Sequence, residues 1–402
     1  MAYYPDWAAP AYPPEKIDFA RFDWIDYAFA VPDAQYNLTW DGSADGGGLL
    51  ARLVDAAHRA GTKVKLSVGG WTGSQYFSPA VADDASRQTF VQNILAVYEQ
   101  YGLDGIDIDW EYPGQAGDAG NAVDPRDTAN FLAFLQQLRA ALPQGAALSA
   151  AAQTVAFADA DGAPAHDVSA FAAVLDWVLI MNYDAFGSSA SPGPNAPLDD
   201  ACGNSTQPAQ NAAAALAAWT AAGVPAAQLV LGVPSYGYVS RSDATRLRTR
   251  APPAGAQIYA TSEDGSTDAG QMQFRGLVAQ GILQYAPLGE NGTDGAGSAG
   301  AGNGTDSGAP PTRVEIPGGE LQSLYAGWSG FERCWDACSS TPFLRSEGAE
   351  QVVTYDDPLS LGLKAAFARE QGMRGVNLFD VSGDTDQWDL TDGCRTGLGL
   401  PV

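Results

Sequence analysis

Three carboxylic acids recur at every second position of one short stretch, Leu103–Gly114, which reads Leu-Asp-Gly-Ile-Asp-Ile-Asp-Trp-Glu-Tyr-Pro-Gly. Asp107, Asp109 and Glu111 alternate there with Ile106, Ile108 and Trp110. Side chains of a strand point alternately to its two faces, so an extended chain aligns the acids on one face and an apolar row on the other. Carboxyl groups crowded in this way raise one another's pKa, and part of the set stays protonated. An acid that keeps its proton beside one that has lost it is equipped for acid/base work on a polar bond. Aligned carboxylates also suit a divalent cation, but no His or Asn cluster accompanies these. Asp104 has the opposite parity and reads as an anchor for the start of the strand.

Such a strand needs neighbours that give its acidic face an interior. Apolar runs bounded by breakers predict strands at Ala2–Tyr4, Asp23–Ala30, Lys63–Val68, Leu148–Gln153, Trp177–Tyr183, Leu229–Pro234 and Gly375–Phe379, with the acidic stretch fourth in order. Helical apolar spacing predicts helices at Leu49–Ala60, Asp83–Tyr101, Pro125–Leu142, Val168–Leu175, Asn211–Ala222 and Leu359–Gln371. Alternating strands and helices imply a parallel sheet with helical crossovers. Eight strands favour closure into a (β/α)8 TIM barrel over an open sheet. Functional side chains of such a barrel gather at the C-terminal ends of the strands, where Trp71, Glu111, Tyr183, Asp184 and Tyr236 all fall.

The alternation breaks after Tyr238. About 110 residues then precede the next helix, too many for a barrel loop. The segment 239–350 therefore reads as an inserted α+β domain after the seventh strand. The barrel would run through 1–238 and be completed by 351–402. Gln257–Ala260 and Gln351–Tyr355 are β-rich pieces, and Pro287–Thr312 reads as a low-complexity, glycosylated loop.

Composition excludes several functions. With 47 acidic against 21 basic residues the net charge is −26, and no basic surface is available for nucleic acid. No apolar run is long enough to span a bilayer. His58 and His166 are far apart, which leaves neither a metal site nor a Ser/His/Asp triad. The run Gly295–Gly300 matches a phosphate-binding glycine pattern but lacks the strand that should precede it. The Cys residues, 202, 334, 338 and 394, contain no CxxC pair and are compatible with two disulfides: Cys334–Cys338 locally, and Cys202–Cys394, which follow the sixth and eighth strands. Glycosylation triplets begin at Asn37, Asn204, Asn291 and Asn303. Together these indicate a secreted, extracellular protein, although Met1 leads directly into Tyr3-Tyr4 with no leader ahead of it.

Asp104-Gly-Ile-Asp107-Ile-Asp109-Trp-Glu111 resembles the DxxDxDxE signature of family 18 glycoside hydrolases, the chitinase family. Ser67-Val-Gly69-Gly70-Trp71 is similar to that family's third-strand SxGG motif, and Met181-Asn-Tyr183-Asp184 to its sixth-strand MxYD. Gly232-Val-Pro-Ser-Tyr236-Gly237 and Tyr355-Asp356-Asp357-Pro358 also resemble its patterns, and the likeness, fungal in character, spans the chain. The resemblance implies hydrolysis of β-1,4-linked N-acetylglucosamine polymers with retention, through an oxazolinium formed by the substrate's own acetamido group. Glu111 would be the general acid/base, Asp109 would orient the acetamido group, and Asp107 would share a proton with Asp109. Tyr3 and Ser67 would hydrogen-bond Asp107, and Tyr183 and Asp184 would contact the acetamido and hydroxyl groups. Gly70, Trp71, Tyr112, Met181, Tyr236 and Phe379 complete the expected sugar-binding set. No metal or cofactor is implied; the expected partner is chitin or a chitooligosaccharide, bound by a monomer. One departure stands out, because the family's eighth strand usually ends in Trp and this chain has Phe379, a smaller platform without an indole N–H. An endo-β-N-acetylglucosaminidase acting on N-glycans shares this chemistry. A non-catalytic chitin-binding lectin on the same barrel would be recognised by loss of the acid, and Glu111 is intact.

Overall fold

The computed structural model describes residues 1–40, 42–242, 270–286, 311, 313–317 and 319–402. Eight strands form the central sheet: β1 (Ala2–Pro5), β2 (Trp24–Pro32), β3 (Lys63–Gly69), β4 (Gly105–Asp109), β5 (Ala147–Ala152), β6 (Trp177–Ile180), β7 (Leu229–Pro234) and β8 (Gly375–Phe379). They lie in the order β1-β8-β7-β6-β5-β4-β3-β2, and pairing of β2 with β1 closes the ring. The result is a parallel (β/α)8 barrel. A short strand, Leu38–Trp40, folds back antiparallel on β2. By internal contacts the chain divides into two compact units, Met1–Met181 with Leu216–Val230, and Asn182–Ala215 with Leu231–Val402.

In the first unit the helices follow their capping and apolar signals. Gly46–Ala60 buries Leu49, Leu50, Leu53, Val54 and Ala57, and ends at Gly61 in the left-handed conformation (φ 84°). Asp84–Tyr101 starts where the Asp83 carboxylate accepts the Ser86 N–H. Asp127–Ala141 buries Phe131, Phe134, Leu135 and Leu138, while the expected helix 168–175 is reduced to the single turn Ser169–Ala172. Between β1 and β2 there is no α-helix, only 3₁₀ turns at Asp6–Ala8, Pro14–Lys16 and Phe19–Arg21. The prolines at 5, 10, 13 and 14 remove backbone donors that a longer helix would need.

The outward face of β4 is held by aromatic packing. Trp110 stacks on Phe77 (5.3 Å, 10°) and meets Phe131 edge-on, and Phe90 stacks on Phe134. With Ile106, Ile108 and Trp110 buried outward, strand alternation turns Asp107 and Asp109 inward. A slip of one residue would bury the acids among phenyl rings, so the register is strongly specified.

The second unit contains a five-stranded antiparallel sheet in the order 271–273, 236–241, 351–354, 341–346, 332–336. Gln351–Thr354 pairs with Tyr236–Arg241 and Thr341–Ser346, so both flanks of the long excursion belong to this sheet. Helix Pro358–Glu370 is nucleated by a reciprocal capping box between Asp357 and Ser360. Leu359 of that helix packs with Leu321 and Trp335.

The expected disulfides require correction. Cys202 bonds Cys338, and Cys334 and Cys394 are free thiols. Cys334 lies within a paired strand opposite Phe343, packed against Phe343 and Val352, whereas Cys338 sits in the following turn. Backbone bonds from Leu198 to Ser339 and from Ala201 to Cys338 bring the loop carrying Cys202 onto that turn. Cys394 is buried in helix Asp389–Leu398. Gln257–Ala260, Gly295–Gly300, the triplets at Asn291 and Asn303, and nearly all of Pro287–Thr312 lie outside the described residues. Among the described residues no helix is long and apolar enough to cross a membrane.

Candidate active site

The three acids of the β4 stretch are graded by depth. Asp107 is 0% exposed, Asp109 3% and Glu111, two residues past the strand end, 9%. Asp107 is enclosed by donors. Tyr3 Oη (2.9 Å) and Ser67 Oγ (2.8 Å) both donate to its Oδ2. Ser149 Oγ donates to its Oδ1 at 2.5 Å. Ser67 and Ser149 are its register partners on β3 and β5, so adjacent strands deliver them directly. Tyr3 reaches the same carboxylate from β1. Asp107 is thus engaged on both oxygens as an acceptor and is a fixed post.

Asp109 is different. Its Oδ1 is buried and has no hydrogen-bond partner among the described residues. Burial first, and then the nearby Glu111, Asp107 and Asp26, raise its pKa well above the ordinary aspartate value. A carboxyl group that keeps its proton to higher pH beside Glu111, with one oxygen unbonded, can both donate to and accept from a ligand.

The path of the chain around Glu111 explains the paired glycines of the third-strand motif. Gly69 (φ 116°) and Gly70 (φ 86°) adopt backbone conformations that side chains avoid. A Cβ on Gly69 would lie 2.2 Å from the Asp109 carbonyl oxygen, and one on Gly70 would strike the Phe29 ring. This close passage lets the Gly70 N–H donate to Asp109 O (2.8 Å). Ser74 Oγ donates to Gly70 O and accepts the Glu111 N–H (2.9 Å), while Asn121 donates to Glu111 O. The backbone of Glu111 is therefore pinned from both sides. Trp71 is 49% exposed, with Tyr112 edge-on to it at 6.4 Å. Met181 continues the line of β6, its N–H donating to Ala152 O.

In the second unit an aromatic group is assembled from Tyr183, Tyr236 and Phe379. Tyr183 lies 5.7 Å from Phe379 at 31°, and Tyr236 is edge-on to both. Asp184, exposed and at positive φ (58°), accepts the hydroxyls of Tyr236 and Tyr238 on Oδ1, each at 2.7 Å. Its N–H is held by Asn195 Oδ1, and Asn195 Nδ2 donates to Tyr236 O. Burial, with the Asp184 charge next, drives the Tyr236 phenol well above its ordinary pKa, so it stays a donor.

Sequence reasoning did not single out Asp26, Ser74, Asn121, Ser149, Asn195 or Tyr238, nor Lys65, whose Nζ lies 3.7 Å from Asp107 Oδ1. The signal was available for two. Lys65 alternates with Ser67 on β3, and Tyr238 with Tyr236 on the next strand, so each shares a face with a residue already singled out. Among the described residues no group of three or more His, Cys, Asp or Glu side chains is arranged to hold a metal ion.

The description "Glycosyl hydrolases family 18" matches residues 1–384. The chain belongs to that family. It is 36% identical over 415 residues to a chitinase-like effector of Moniliophthora roreri, covering 99% of this chain and 92% of the relative. A chitinase-like effector of Moniliophthora perniciosa is 34% identical over 422 residues, covering 99% and 86%. Among solved structures, a chitinase from Rhizomucor miehei superposes with a TM-score of 0.78 at 31% identity, covering 99% of both chains. This family-18 chain is a glycoside hydrolase of the chitinase type.

Proposed function

We propose that the protein hydrolyses β-1,4 bonds of chitin or chitooligosaccharides with retention, by a substrate-assisted mechanism. The observation that carries this reading is the unequal environment of three aligned carboxyl groups. Asp107 is saturated with donors, Asp109 holds its pKa high with a buried oxygen unpartnered, and Glu111 lies nearest the surface. Glu111 protonates the glycosidic oxygen. Asp109 accepts the acetamido N–H, orients that group for attack on the anomeric carbon and stabilises the resulting oxazolinium. Glu111 then takes a proton from the water that opens the ring. Trp71, Tyr112, Tyr183, Asp184, Tyr236 and Phe379 contact the sugars. This is the exception to the two-carboxylate scheme, because the nucleophile belongs to the substrate.

The test is a time course on a chitin hexamer with product anomers resolved by NMR. The β-anomer is expected first; an initial α-anomer refutes the mechanism. Glu111→Gln should lower the rate by at least about 10²–10⁴-fold, the usual contribution of general acid catalysis, while retaining hexamer binding. An undiminished rate in this variant sinks the assignment. Activity on a glycoprotein but none on the hexamer would favour an N-glycan endoglycosidase. Wild-type protein that binds the hexamer but never cleaves it would instead establish a non-catalytic chitin-binding lectin. Secretion is supported by the Cys202–Cys338 bridge and by the exposed Asn37 and Asn204 triplets. Recovery of glycosylated protein from culture medium tests it.

A further inference from the structure

Beneath the acids of β4 lies a fully buried cation. Lys65 has 0% side-chain exposure, and its Nζ is 3.1 Å from Asp26 Oδ1, 3.7 Å from Asp107 Oδ1 and 2.5 Å from Ser149 Oγ, to which it donates. Its side chain crosses β4 at Gly105, where a Cβ would come within 3.0 Å of Lys65 Cγ, and reaches Ser149 on β5 beyond. The indole of Trp177 on β6 covers the ammonium at 4.5 Å. Asp26 on β2, Asp107 on β4, Ser149 on β5 and Trp177 on β6 are thus the groups that face it, and Tyr3 from β1 bonds the far oxygen of Asp107. A lysine is almost never buried without paired charge, and here one cation serves two carboxyl groups.

We propose that Lys65, held by Asp26, is a positioning residue that fixes negative charge on Asp107 and so keeps the proton shared by Asp107 and Asp109 on Asp109. The inference rests on the roles given above to Asp107, Asp109 and Glu111. The charge logic is direct. Removing the ammonium takes away the cation that Asp26 and Asp107 share, and the acidic set takes up an extra proton at higher pH. Removing the Asp26 charge instead leaves the ammonium wholly to Asp107, and the set takes up that proton at lower pH. Removing both restores the balance. Ser149 relays the arrangement through its two short bonds, to Lys65 and to Asp107.

The experiment is the pH–rate profile for chitin hexamer hydrolysis by Lys65→Met, Asp26→Asn and the double variant. A unit charge less than 4 Å away at an effective dielectric of about 20 is enough to move a titration by one pH unit or more. The acid limb of Lys65→Met should move up by at least about one unit. That of Asp26→Asn should move down, and the double variant should return close to wild type. A merely structural pair would lower the melting temperature in all three without moving the limb, and coincident profiles overturn the proposal. Where Lys65→Met does not fold, the nearly isosteric Asp26→Asn carries the test alone with its opposite sign. Carboxyl ¹³C NMR of aspartate-labelled protein reads the same displacement without substrate. Unmoved carboxyl titrations therefore sink this inference even if the proposed hydrolysis stands, and moved ones support it even if hydrolysis fails.

Discussion

Asp109 is the residue at which the fold gives up stability for chemistry. Its folded-state pKa is raised, so the native protein binds this proton more tightly than the unfolded chain does. The stability tied to that proton is complete below the ordinary value of 3.8 and is lost as the pH rises through the raised one. Asp109→Asn cannot ionise. It is expected to raise neutral-pH stability by roughly 0.5–2 kcal/mol, to flatten the fall in melting temperature on the alkaline side, and to lose activity, as substitutions at strained active sites do. Thermal unfolding at several pH values checks this; a variant less stable than wild type at neutral pH contradicts it. The alternation of acids with Ile and Trp was legible in sequence because a period of two needs no partner to be seen. The inequality of the acids was not, since it arises from Tyr3, Ser67, Ser149 and Lys65, each delivered by a different strand or from a different depth.

At the scale of elements, each barrel strand was legible as a short run between breakers, and the helices 46–60, 84–101, 127–141, 212–221 and 358–370 from their apolar spacing, whereas Asp389–Leu398 was not read. The connection of β1 to β2 and the five-stranded sheet were harder to read, because their residues take conformations set by tertiary pairing. Helix Pro358–Glu370 shows how an end is secured. Asp357 accepts the Ser360 N–H (3.0 Å) as its cap and also takes a two-pronged contact from buried Arg333, at 2.7 and 3.1 Å. Asp357→Ala removes a cap worth about 1 kcal/mol and strands a buried guanidinium, which costs about 3–5 kcal/mol more. Chemical denaturation should show a loss of at least about 3 kcal/mol. A loss below about 1 kcal/mol would mean that water reaches Arg333.

Across the whole molecule, the disulfide joins positions 136 residues apart, from a loop after β6 to a turn of the five-stranded sheet. No sequence spacing reveals such a pair, because only folding brings the two loops together. Its removal by Cys202→Ser should destabilise the protein by about 2–5 kcal/mol. Cys334→Ser, at a free thiol, should change unfolding little, and equal losses in the two variants would argue against the pairing. A different consequence follows from the closure of β1 between β2 and β8. β1 cannot complete its hydrogen bonding until the last barrel strand, Gly375–Phe379, has been made. At translation rates of about 5–20 residues per second, the nascent sheet waits roughly 20–75 s with two unpaired edges. A chain terminated before Gly375 never closes the ring, and such open edges are templates for pairing with other chains. It should accumulate as aggregate rather than as a weakly active enzyme.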